Sequence, residues 1–264
     1  MTPVPPATHA SLVRDLRRLG LSRGRTVLVH SSMHRIGPVI GGAATVLSAL
    51  RTVTGDRACV VAPTHTSNNS TTSPSFREAI AGLDPVGVQR HVRGMDGFDR
   101  ATTPSYRMGV LAEHVRRHPH SVRSNHPQTS FAAIGPAAEG LMARHRPDCH
   151  LGPDSPLGAL YDADAVVLLL GVGYAACTAF HLAEYYVAEP PTRAYHCFVG
   201  AGPSRRQYDF TDIDLYDGDF DVLGKDLESG DGLVARGRVG QAESRLLPIR
   251  TAVDFAVGWL ADNR

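Results

Sequence analysis

The run Val166–Leu170, VVLLL, sets the tightest limit on how this chain folds. Five consecutive aliphatic residues bounded by Asp164 and Gly171 read as a strand buried on both faces. Directly after it, Gly171 and Gly173 lead into a helix that starts near Thr178, which places His181 just beyond the strand's carboxyl end. In open α/β sheets, ligands bind at that edge.

The neighbouring segments fit the same class. Thr8 can cap a helix that carries Leu12, Val13, Leu16 and Leu19 at helical spacing and is closed by Gly20. TVLVH (26–30) is a second buried strand, and CVVA (59–62) a third. Between them, Ser31, Ser32 and the pair Gly41-Gly42 open a helix containing Val46, Leu47 and Leu50. Residues 63–106 are rich in Ser, Thr, Asn, Gly and Pro, with at most one short helix around 76–81; loops this long are usually functional. Helices are expected over about 108–117 and 137–144, and a last one over 252–260 puts Val253, Ala256, Val257 and Leu260 on one face. No repeat or linker divides the 264 residues, so a single unit spanning 1–264 is expected.

Composition matters chiefly for what it excludes. A 42% hydrophobic and 20% charged content is that of an ordinary soluble globular chain, and no apolar run is long enough to span a bilayer. The beginning of the chain lacks the regions of a signal peptide, so a cytoplasmic location is expected. Four cysteines without CxxC pairing argue for reduced thiols rather than a zinc site or disulfides. A net charge of +1 argues against broad nucleic-acid binding, yet nine acids stand between residues 209 and 231 against the one base Lys225.

Thr178, His181 and Glu184 recur at intervals of three, which places them along one helical face. An imidazole titrating near neutrality can accept a proton from an attacking amine, and a carboxylate one turn away can fix its tautomer. Thr178 could donate to a developing oxyanion. The spacing alone also fits a hydrogen-bonded histidine on an amphipathic helix. Arg116, Arg117 and Arg123 suit a phosphorylated cofactor, or a solvated face. RGRVGQA (236–242) is rejected as the pyrophosphate loop of the GCN5-related acetyltransferases, because its Arg stands four residues before Gly240 rather than three. No HExxH accompanies the 13 scattered histidines, so a metal hydrolase using His181 and Glu184 is a secondary reading, as is a non-catalytic binder.

Ordered blocks run nearly end to end: LVHSSM (28–33), GGAATV (41–46), FDRATTPSYRMG (98–109), RSNHPQTSFAAIG (123–135), DSPLGALY (154–161), LLLGVGY (168–174) and TAFHLAE (178–184). In these the chain resembles the aminoglycoside 3-N-acetyltransferase family, the antibiotic N-acetyltransferases that are not GCN5-related. The resemblance implies a three-layer α/β/α fold with a central mixed sheet. It implies a coenzyme A-binding part at about 1–135, and a part at about 136–264 with the catalytic helix and the acidic segment. It further implies acetyl-CoA as cosubstrate, no metal, and transfer to the 3-amino group of an aminoglycoside antibiotic with His181 as general base, supported by Glu184 and Thr178.

Carried over block by block, Ser31, Ser32, Met33, Gly41, Gly42, Thr103, Pro104, Met108, Ser130 and Phe131 are expected to contact the cofactor, with His126 supporting the Phe131 loop. The chain departs from the family at Ala175, Ala176 and Cys177, where many members read Asp-x-Asn, and at Arg100, where FDP has become FDR. These changes fall on the substrate side and leave another amine-bearing natural product open. Asp214, Asp217 and Asp219 are expected to line the wall that attracts a polycationic substrate. Direct attack by the amine is expected, with an acyl-enzyme on Cys177 as the alternative.

Overall fold

In the computed structural model, residues 5–230 and 232–264 are described. The first four residues of the leader reading and Asp231 of the acidic segment lie outside the described residues. A seven-stranded mixed sheet runs in the order β3-β4-β2-β1-β5-β9-β8, built from β1 (Val27–Ser31), β2 (Val60–Pro63), β3 (Ser121–Arg123), β4 (Phe131–Ile134), β5 (Val166–Leu170), β8 (Ala235–Val239) and β9 (Ala242–Pro248). Strands β6 (Thr192–Val199) and β7 (Arg206–Ile213) form a separate antiparallel hairpin.

The sheet's centre is parallel, with β1 between β2 and β5, while β4 and β9 pair antiparallel on either side. Its register joins the two halves of the chain, since Val27 to Ser31 stand opposite Val166 to Leu170. Alternation along these strands sorts side chains into two cores. Val27, Val29, Val166, Leu168 and Leu170 face α1 (His9–Arg18), α3 (Gly42–Thr54) and α6 (Gly109–Arg116). Leu28, Val167 and Leu169 face α7 (Ala138–Ala143), α8 (Pro156–Asp162), α9 (Phe180–Glu184) and α11 (Ile249–Asn263). VVLLL is therefore buried at every position, and the expected three layers are present.

Local chemistry sets most helix ends. Thr8 and Ser11 form a reciprocal capping box on α1, and Ser32 caps the one-turn α2 (Met33–Ile36). Residues 63–106 hold more structure than expected: α4 (Pro74–Ile80) sits where the short helix is predicted, and α5 (Pro85–Gly94) follows it. Helix α5 buries none of its residues, so it left little apolar periodicity to read, although Asp84 caps it and Pro85 starts it. The acidic segment includes α10 (Phe220–Ser229), which buries Phe220, Leu223 and Leu227.

Candidate active site

Strands β1, β2 and β5 end side by side, and a cavity of about 460 Å³ opens at those carboxyl ends. His30 and Ser31 reach it from β1 and His65 from the segment after β2; Thr178 and His181 reach it from the segment after β5, and Met108 and Asp217 close its rim. Gly171, with φ of 72°, makes the sharp exit from β5; a Cβ there would crowd Ala242 and Arg35 at about 3 Å. A 3₁₀ turn at Tyr174–Ala176 then brings the chain to Thr178.

Helix α9 begins at Phe180, so Thr178 lies in the preceding turn rather than on the helix, and its carbonyl accepts the His181 N–H at 3.1 Å. Both side chains still reach the cavity. His181 Nδ1 and Glu184 Oε2 are 2.6 Å apart, with the carboxylate almost fully buried. An ionised carboxylate only accepts, so Nδ1 carries the proton and Nε2 is left as the basic nitrogen of a side chain that lines the cavity. The other oxygen of Glu184 accepts from the Tyr216 N–H at 3.0 Å and from Arg264. Phe220 packs against the imidazole with ring centroids 4.7 Å apart.

Two further imidazoles line the cavity. Burial lowers His30 to about 4, and its Nε2 lies 3.3 Å from the Thr178 hydroxyl. Burial, aided by His30, His181 and other neighbouring histidines, holds His65 well below the usual range. Both are neutral near pH 7 and add no positive charge against a cationic substrate. Their signal in the sequence was position alone, a histidine at the end of each of two adjacent strands.

The expected cofactor residues separate into groups. Ser31 and Met108 line the cavity. Ser32 spends its side chain on capping α2, Met33 packs against the core shared with α1, α3 and α6, and Pro104 is exposed. Gly41 and Gly42 open α3 with left-handed φ values and no side-chain cap. The Thr103 hydroxyl accepts the Asp99 N–H at 2.8 Å, inside its own loop.

Ser130 and Phe131 are both completely buried, and neither is among the residues that line the cavity. Ser130 bonds the Thr64 carbonyl and Arg123, and Phe131 backs His65 edge-on, so they build the cavity wall from behind. Arg123 is also internal, donating to the carbonyls of Thr64 and Thr103, and Arg116 is held by Glu113. Of that basic run, Arg117 faces an open groove of about 590 Å³, lined also by His114 and His118, which shares Arg107 and Met108 with the cavity. His126 is wholly buried, and its Nδ1 accepts from the N–H groups of Gln128 and Thr129 in the turn ahead of Phe131.

The three acids also part company. Asp217 lines the cavity, Asp214 is not among the lining residues and pairs with Arg193 at 3.1 Å, and Asp219 is gripped by Arg264. Cys177 is completely buried, and burial pushes its thiol up to about 12, which does not suit a nucleophile. Among the described residues, no three His, Cys, Asp or Glu side chains converge to hold a metal ion, and no helix is long and apolar enough to cross a membrane.

Comparison with known proteins shows the family to which this fold belongs. The sequence model for aminoglycoside 3-N-acetyltransferase matches residues 28–261. Aminoglycoside N(3)-acetyltransferase VII of Streptomyces paromomycinus is 36% identical over 98% of this chain and 93% of its own length. The crystal structure of YokD from Bacillus subtilis superposes with a TM-score of 0.86 at 32% identity, covering 98% of this chain and 95% of that one. The structure of AAC-IIIb in a binary complex with CoASH does so at 0.81 and 28% identity, over 98% and 97% of the two chains. With the match running nearly from end to end, this chain belongs to the aminoglycoside 3-N-acetyltransferase family.

Proposed function

We propose that this protein transfers the acetyl group of acetyl-coenzyme A to an amino group, the 3-amino group, of an aminoglycoside antibiotic and so confers resistance to it. The observation that carries the reading is the His181–Glu184 pair at the carboxyl end of β5, with Nδ1 committed to the carboxylate and the ring lining the cavity. Acyl transfer to an amine needs a neutral nucleophile, an activated acyl group held nearby, and stabilisation of the oxyanion. Acetyl-coenzyme A supplies the thioester.

His181 Nε2 takes the proton of the attacking amine, and Glu184 stabilises the imidazolium that results. That proton is then available to the departing thiolate. Thr178, beside His181 on the cavity wall, is the donor to the oxyanion. Direct attack is favoured over an acyl-enzyme, since Cys177 is sealed in the core. Asp217 attracts the cationic substrate to the same cavity.

Ser31 and Met108 hold the acyl end of the cofactor, while the adjoining groove with His114 and Arg117 offers a basic wall to its phosphates. Gly41 and Gly42, which lack Cβ atoms at the start of α3, allow close approach of the same cofactor to the backbone. Residues 1–264 act as one unit, and the reaction belongs in the cytoplasm, where acetyl-coenzyme A is in use. Thiol release from acetyl-coenzyme A over an aminoglycoside panel, followed by locating the acetyl group, tests the proposal. Acetylation at the 3-amino group is expected; no thiol release with any aminoglycoside overturns it.

A further inference from the structure

Glu184 is held on both of its oxygens, and the group behind it is a cation. Its Oε2 receives the His181 Nδ1–H, whereas Oε1 receives the Tyr216 N–H at 3.0 Å and the Arg264 guanidinium. The guanidinium is itself fixed. Nε and Nη2 fork onto the two oxygens of Asp219 at 2.8 and 2.6 Å, Nη2 also reaches the Tyr216 carbonyl at 2.7 Å, and the group lies 5.1 Å from the centroid of the Tyr216 ring. A planar fork held by a carboxylate, a carbonyl and an aromatic face keeps one orientation.

We propose that Arg264 is a positioning residue for the acetyl transfer, holding Glu184 so that its second oxygen stays on His181; this rests on His181 being the base. Without the guanidinium, Glu184 is a buried carboxylate with one backbone donor on its far oxygen, free to turn away from the imidazole. Asp219 then acts through Arg264 rather than on substrate, which gives a role to an acid first assigned to the antibiotic wall.

The electrostatic consequence has a definite sign. A cation behind Glu184 opposes the charging of His181, so removing it favours the imidazolium and moves the acid limb of kcat/KM to higher pH. The other groups facing the pair are Asp217 and Arg107 at the cavity rim, and His30, His65 and His150, whose pKa values burial depresses. Asp214 is occupied by Arg193.

The test compares Arg264→Met, Arg264→Lys, Glu184→Gln and the Glu184→Gln/Arg264→Met double variant by kcat, KM for acetyl-coenzyme A, pH profile and thermal unfolding. For Arg264→Met, kcat is expected to fall by about tenfold to a hundredfold, as for a misplaced catalytic group, with KM for acetyl-coenzyme A unchanged and the acid limb moved up. Arg264→Lys is expected to return the acid limb to its original place and recover part of kcat. In the Glu184→Gln background the Arg264 change is expected to cost little more. An Arg264→Met enzyme with normal kcat and pH profile overturns the proposal. So does a loss of activity that follows loss of folded protein with an unmoved acid limb, or an equal loss in the Glu184→Gln background. Normal turnover by His181→Ala removes the base assignment itself, whereas an inactive His181→Ala beside a normal Arg264→Met removes only the clamp.

Discussion

Asp217 and Asp219 stand two residues apart, yet one lines the cavity and the other holds Arg264. A carboxylate that lines the cavity attracts a polycation, and the effect is screened by salt. Asp217→Asn is therefore expected to raise the KM for aminoglycoside several-fold, with little change in kcat, and to flatten its dependence on ionic strength. Unchanged KM and salt dependence contradict that role. At Cys177, replacement by Ser is expected to leave the acetyl-transfer mechanism intact in the folded enzyme; loss of turnover in a normally folded Cys177→Ser protein points to an acyl-enzyme. The HxxE spacing was legible because it is local, one turn of helix. The convergence of His30 and His65 on the same cavity was not, since it depends on which strands become neighbours. The burial of Ser130 and Phe131 was not legible either, because an ordered motif does not say which of its side chains point inward.

Helix α9 is only five residues long and owes its position to what packs around it. One support is the 3₁₀ turn before Thr178, where the Ala175 N–H donates to Asp221 of α10 at 3.0 Å and Tyr174 lies against Gly224 of α10. A Cβ on Gly224 would fall 2.0 Å from Tyr174 Cγ. Gly224→Ala must displace this turn, and is expected to cost about 1–3 kcal/mol of stability, read by urea unfolding, and to lower kcat through Thr178 and His181. Full stability and activity would show that the turn does not fix α9. Strands β1, β2 and β5 were legible within a residue or two, because burial keeps β2, β5 and the first three residues of β1 apolar. The β6–β7 hairpin was not, since its positions mix exposed and buried residues and include Arg193, His196, Asp209 and Asp212.

Across the whole molecule, several histidines are buried without charge. His30 is lowered to about 4 and His145 to about 3, while His65, His126 and His150 are also depressed, in each case chiefly by burial. Below pH 6.5 the unfolded chain binds protons at these sites while the folded protein does not, so stability present above pH 6.5 is lost as pH falls toward the folded values. Each such histidine contributes a slope of up to about 1.4 kcal/mol per pH unit. The urea midpoint is expected to drop steeply between pH 7 and pH 4; a midpoint that stays level over that range contradicts the buried network. The layered architecture was legible from alternating strands and helices together with the family blocks, and the mixed sheet that the resemblance implied arises from β4 and β9, which pair antiparallel beside the parallel centre. Turnover of the His181→Ala protein tests the assignment most directly. Measured as thiol release from acetyl-coenzyme A with an aminoglycoside, it is expected to fall by at least about 100-fold while calorimetric affinity for acetyl-coenzyme A stays near normal; near-normal turnover would contradict His181 as the base.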